Sequence, residues 1–249
     1  TIAKLPKLGF DPSSFVGAVT SGEEAGNYIA TEYGGTQKKA LWITWGLPNS
    51  LSPLVFLSKC GDIDVADSVD EADFIIAHGA DVIRGKGADG VAKETSLGGF
   101  HANGNFEVMD PILEKCKERG LPMVCANPDF IMVKPDGSKG HMPGKIAQRY
   151  ESMGGKCTYF GKPHVPHFEA CIRDLGLEKN RVAHVGDSLH HDIAGANASG
   201  IASVFVVGGV HRETLGSELG KLPEEEALRK LFEDEGQVPT HVVPMLRLD

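Results

Sequence analysis

Residues 181–201 read RVAHVGDSLHHDIAGANASGI, and the order of residue types in this stretch decides the fold. The run Val182, Ala183, His184, Val185 predicts a buried strand that stops at Gly186. Asp187, Ser188 and Asp192 follow, and then an Ala/Gly-rich segment suited to a closely packed helix. Parallel α/β sheets present their ligand sites at the C-terminal ends of strands, where this strand delivers two carboxylates. Carboxylates five residues apart across a strand-to-helix turn can hold a hard cation such as Mg²⁺, which prefers oxygen ligands. Helix capping by Asp and Ser would leave the same letters, so the stretch has to be weighed with others.

The next signal is Gly161-Lys162-Pro163, which closes a predicted strand over Lys156–Phe160. Lys162 lies 25 residues before Asp187, about the length of one βα unit. That spacing predicts neighbouring parallel strands, with an ammonium and a carboxylate pair at one sheet edge. A cation so placed neutralises phosphoryl oxygens and fixes a carboxylate nucleophile.

Around these motifs, short apolar runs alternate with amphipathic stretches, the pattern of a parallel α/β protein. Strands are predicted at Phe15–Val19, Leu41–Trp45, Phe74–Ala77, Pro122–Ala126, Ala202–Val207 and near His241–Val243. Helices are predicted from a capping box at Ser21–Glu24 through Tyr33, over Gly104–Arg119, from Pro143 to Met153, and over His167–Leu175, Ile193–Ser199 and Glu224–Glu235. Segment 85–104, rich in Gly, reads as a mobile loop.

A chain of 249 residues suffices for one large or two modest domains. The net charge of −9, with no long basic run, argues against nucleic acid or an anionic membrane as partner. No apolar stretch reaches the roughly 18 residues needed to span a bilayer. Five widely spaced cysteines without a CxxC pair suit a reducing compartment, the cytoplasm or an organelle stroma. The ten histidines include His164/His167 and His190/His191, which read as solvated or capping side chains rather than a closed metal set.

GKP, a helix, a strand and then GDSxxxD together resemble the third and fourth motifs of the haloacid dehalogenase (HAD) superfamily of phosphohydrolases. VTSGEEAGNYI (19–29), ADFIIAHGAD (72–81), CANPDF (125–130) and MPGKIAQRYESMGG (142–155) fall in the order of its class IIA branch, the nitrophenylphosphatase-like and N-acetylglucosamine-operon-phosphatase-like proteins. The resemblance implies a Rossmann-like parallel-sheet core carrying a large inserted α/β cap. Residues 1–22 and 156–249 would form the core, incomplete at its N-terminus, and 23–155 the cap. It implies Mg²⁺ as cofactor and a small phosphorylated metabolite as substrate, hydrolysed through an aspartyl-phosphate. The resemblance implies that Lys162 would be the charge-neutralising catalytic lysine and Asp187 a metal ligand, that Asp192 would bind the ion or orient its water shell, and that Ser188 would support the phosphate. Asn127 and Asp129 are the cap candidates facing the cleft, and Gly144, at a helix start, would offer backbone N–H groups to an anion. A homo-oligomer formed through the cap is one arrangement the branch allows.

The family's DxDG nucleophile strand and its second, Ser/Thr motif precede the part that these residues resemble, so both are expected before Thr1. The one DxD present, Asp62-Ile63-Asp64, follows Ser58-Lys59-Cys60-Gly61 and reads as an acidic loop. The chain as given is therefore expected to hold half an active site and to be inactive by itself. Two readings remain: a phosphatase seen without its nucleophile segment, or a catalytically silent protein of the same fold that binds or scaffolds.

Overall fold

The computed structural model describes residues 5–7, 9–47, 53–87, 92–133 and 138–246. They form two units: Thr20–Gly161, and a second built from Thr1–Val19 with Lys162–Asp249.

The middle unit opens with α1 (Ser21–Tyr33) and β1 (Lys39–Thr44), followed by α2 (Pro53–Leu57), β2 (Asp64–Val65), β3 (Phe74–Ala77), β4 (Val82–Gly85) and β5 (Lys93–Ser96). α3 (Phe100–Asn103), α4 (Asp110–Glu118), β6 (Met123–Cys125), β7 (Ile131–Val133), β8 (Lys139–His141), α5 (Pro143–Ser152) and β9 (Cys157–Tyr159) complete it. Its sheet runs β5-β4-β1-β3-β6-β9, with β2 also paired to β1. β1, β3, β6 and β9 are parallel, while β4 and β5 run antiparallel at one side. Both faces are covered, so β3 reads as an unbroken apolar run, Phe-Ile-Ile-Ala, buried throughout.

Strand alternation sorts the core. Leu41, Ile43 and Trp45 join Ile75, Leu113, Ile146 and Tyr150 on one face. Ala40 and Trp42 join Ile29, Phe56, Phe74 and Ile76 on the other. There Tyr33 stacks on Phe74 at 3.8 Å between ring centroids. Each such fully buried large side chain contributes roughly 1.5–3 kcal/mol.

His78, just past β3, stacks on Phe56 at 4.0 Å and pairs with Thr44 Oγ1 at 3.1 Å. Burial pushes its pKa from 6.5 down to about 4. The unfolded chain therefore takes up this proton near pH 6.5 and the folded chain only near pH 4. Stability should fall as pH drops through that window, by about 2–3 kcal/mol, and level off below it. Urea midpoints of wild type and His78→Gln, compared at pH 7 and 5, check this. The variant should lose most of the slope.

The second unit holds α6 (Val165–Leu175), β10 (Ala183–Gly186), α7 (Ala194–Ser199), β11 (Ala202–Val206), α8 (Glu225–Glu235) and β12 (His241–Val243). Its three strands are parallel, in the order β10-β11-β12. Phe205, Val207, Leu189, Ile193 and Leu231 make its core.

Several expectations change. Phe15–Val19 is not a strand; it follows a 3₁₀ turn at Pro12–Ser14, and Val16 is 83% exposed, without the lateral partner a strand requires. α1 is capped by Thr20, whose side-chain oxygen accepts from Glu23 N at 3.2 Å, one residue earlier than the capping box predicted. Gly104 ends α3 with φ of 68°, so α4 starts afresh at Asp110-Pro111 and the predicted 104–119 helix is shorter. Segment 85–104 contains β5 and α3 rather than a continuous loop; residues 88–91 within it lie outside the described residues. The helix predicted at Ile193 is preceded by a wide π turn over Leu189–Ile193. No described helix is long and apolar enough to cross a membrane.

Candidate active site

β10 ends in Gly186, and the chain turns through Asp187 and Ser188 into the π turn. Ser188 caps that turn, its hydroxyl accepting from His191 N at 3.2 Å. The turn swings Asp192 back under the end of β10. A Cβ on residue 186 would lie 2.2 Å from Asp192 Cγ, so glycine there clears the carboxylate's seat.

Asp192 is 3% exposed, and both its oxygens are engaged. Oδ1 accepts from Lys162 Nζ at 2.7 Å and from His184 Nε2 at 2.9 Å, while Oδ2 accepts from Ser188 N at 3.0 Å. Burial alone would raise its pKa. The His184, Lys162 and Ser188 donors, with the Lys162 charge, outweigh burial and hold the carboxyl well below the usual carboxylate range. The Lys162 side chain is 43% exposed, so its ammonium spans a buried anchor and solvent. Burial, reinforced by the Lys162 charge and His184, pushes the nearby His167 down, favouring a neutral ring.

Asp187 is placed differently. Its Oδ2 accepts from Val210 N at 3.0 Å, from the loop after β11. A Cβ on Gly209 would lie 2.1 Å from that oxygen, so the loop can close on Asp187 only with glycine there. No hydrogen bond to the other oxygen is found among the described residues.

Lys162, Ser188 and Asp192 thus meet in one network with Asp187 on the adjoining turn, but neighbouring strands do not bring them there. β9, which precedes Lys162, pairs with β6 in the middle unit, and β10 pairs with β11. His184 was missed by sequence reasoning. Its signal was an imidazole in an otherwise apolar strand, two residues before the glycine of the motif.

Asn127, Asp129 and Gly144 come together in the middle unit. Asn127 Oδ1 accepts from Asp129 N at 3.1 Å, and Asp129 O accepts from Gly144 N at 3.0 Å. Lys145 N donates to Met142 O. The anion cradle expected at the start of α5 is corrected by this: the Gly144 and Lys145 amides already serve the chain's own carbonyls. Asp62 and Asp64 are exposed in the same unit, and Asp64 pairs with Lys86 at 3.3 Å.

Among the described residues no cluster of three or more His, Cys, Asp or Glu side chains could hold a metal. Mg²⁺ needs less, since it commonly keeps several waters and takes one or two carboxylates. Asp187, with one oxygen uncommitted, fits one such ligand. Asp192 already has three of its roughly four acceptor positions taken by Lys162, His184 and Ser188.

The model of the haloacid dehalogenase-like hydrolase family matches residues 68–200, more than half of the sequence. The chain belongs to the haloacid dehalogenase-like hydrolase family. A second HAD-hydrolase-like model matches residues 159–247, which include Lys162, Asp187 and Asp192. A haloacid dehalogenase-like hydrolase from Brucella suis 1330 shares the fold with a TM-score of 0.64 at 21% identity, covering 99% of this chain and 78% of that one. p-Nitrophenyl phosphatase from Archaeoglobus fulgidus has a TM-score of 0.61 at 22% identity, covering 98% and 77%. Glycerol phosphate phosphatase from Mycobacterium tuberculosis, solved with magnesium, has 0.56 at 18%, covering 84% and 54%. At these identities the likeness is one of fold, and it bears out the α/β parallel-sheet expectation. No curated protein matches the chain.

Proposed function

We propose that this HAD hydrolase is a Mg²⁺-dependent phosphatase of the class IIA type, acting on a small phosphorylated metabolite in the cytoplasm or an organelle stroma. The observation that carries the reading is the Lys162–Asp192 contact of 2.7 Å beside the partly uncommitted Asp187. In it, Asp192 anchors rather than ligates: its buried carboxylate holds Lys162 while the ammonium's remaining donors reach a phosphoryl oxygen. Ser188 fixes the turn through its amide and hydroxyl. Asp187 supplies the carboxylate for the cation, which when bound would offset charge on the phosphoryl oxygens. Thr20–Gly161 acts as the cap in this reading, with Asn127 and Asp129 as its candidates for contact with the substrate.

A second reading is binding without turnover: the sequence's single Asp-x-Asp lies exposed in the middle unit, where Asp64 pairs with Lys86.

The deciding experiment is an assay of the full-length protein on a phosphate-ester panel headed by p-nitrophenyl phosphate, with Mg²⁺ or EDTA, alongside Lys162→Ala. Hydrolysis should need Mg²⁺, and Lys162→Ala should weaken inorganic phosphate binding by about tenfold or more, as for one charge-assisted contact. Phosphate binding without hydrolysis supports the silent protein. Binding that ignores both Mg²⁺ and Lys162 removes the assignment.

A further inference from the structure

His184 lies on β10, three residues before Asp187, with its side chain 26% exposed. Its ring packs edge-on against Phe168 of α6 at 4.9 Å. That contact sets the imidazole plane and aims Nε2 at Asp192 Oδ1, 2.9 Å away. An ionised carboxylate only accepts, so Nε2 carries the proton in this contact. The same oxygen takes the Lys162 ammonium at 2.7 Å. One carboxylate oxygen thus receives two donors from different elements, and the other is pinned by the Ser188 amide.

We infer that His184 is a positioning residue for Lys162: it locks the Asp192 carboxylate in one rotamer, so the ammonium is held at a fixed point facing the phosphoryl group. The inference rests on the phosphatase reading of Lys162 and adds to it a residue that touches neither substrate nor metal. Without His184, Oδ1 would keep only the lysine, and the carboxylate plane would be held by the Ser188 amide and the mobile ammonium alone. Lys162 would then lose its defined position while keeping its charge.

The test uses the full-length protein, saturating Mg²⁺ and inorganic phosphate as the probe. His184→Leu preserves bulk against Phe168 without a donor, and His184→Gln returns an N–H near the place of Nε2. His184→Leu should weaken phosphate binding about tenfold, the equivalent of one charge-assisted hydrogen bond. His184→Gln should recover it to within about twofold, a rescue that loss of packing alone would not show. In the wild type, long-range ¹⁵N–¹H spectra should show His184 protonated at Nε2. Unchanged affinity in His184→Leu, or equal loss in both variants, would overturn the role. Lys162→Ala separates the two failures. If it weakens binding and His184→Leu does not, only the histidine's role falls; if neither matters, the phosphatase reading falls first.

Discussion

Asp187→Asn in the full-length protein should cut Mg²⁺-dependent phosphate-ester hydrolysis by about a thousandfold, on the scale of losing one oriented electrostatic group. The substitution keeps shape and leaves an oxygen able to accept from Val210 N, the one hydrogen bond found for this side chain among the described residues. What disappears is the carboxylate's negative charge. Stability should stay within about 0.5–1 kcal/mol of wild type, since no buried partner is orphaned. Measuring kcat/KM across Mg²⁺ concentrations separates the causes: a weaker cation site shows partial rescue by excess metal. Turnover near the wild-type value would show that Asp187 has no part in the chemistry.

Asp192→Asn should act on folding as strongly as on function. The amide has one oxygen for three donors, Lys162 Nζ, His184 Nε2 and Ser188 N. Either way round, its own N–H groups face another donor. Removing one member of a buried charged network costs 3–5 kcal/mol in typical cases. Lys162 is 43% exposed and can rehydrate, which reduces the expected loss here to about 2–4 kcal/mol. The pH dependence gives a second signature. Folding holds the Asp192 carboxyl below its unfolded value of 3.8, so its stabilisation is complete above that value and is lost as pH falls through the folded pKa. Urea midpoints measured from pH 4 downward should fall steeply in wild type and less in Asp192→Asn. The His78 effect lies mostly above this window and persists in the variant. Equal midpoints for the two proteins at pH 7 would contradict the anchoring role.

Much of this was legible because its causes are local. Phe74–Ala77 and His241–Val243 were predicted at their observed bounds. Pro143 opens α5 where its fixed φ and missing N–H cost nothing. GDS was read as a strand end and turn for the same reason: glycine, then an oxygen-bearing cap. Pairing was not legible. Residues 157–159 have the letters of a strand wherever they go, and only the fold puts them against β6. The meeting of Lys162 with Asp192 was anticipated through the wrong geometry, because a spacing of one βα unit does not say which sheet the first strand joins. His184 stood out only as an imidazole in an apolar strand, because the ring that orients it, Phe168, lies 16 positions earlier and nothing local links them. Phe15–Val19 shows the converse. Apolar, β-prone residues stay irregular when no neighbouring strand is available.

The glycine at 209 bears on transplantation. Gly209, in the loop that holds Asp187, lies 22 residues downstream of it, and the fit depends on the missing methyl group rather than on any reactive atom. Grafting Gly186-Asp187-Ser188 onto another Rossmann-like scaffold would carry over the acid but not its aim. A designer would need to move the returning segment after β11 as well, matched in length and left bare at that one carbon.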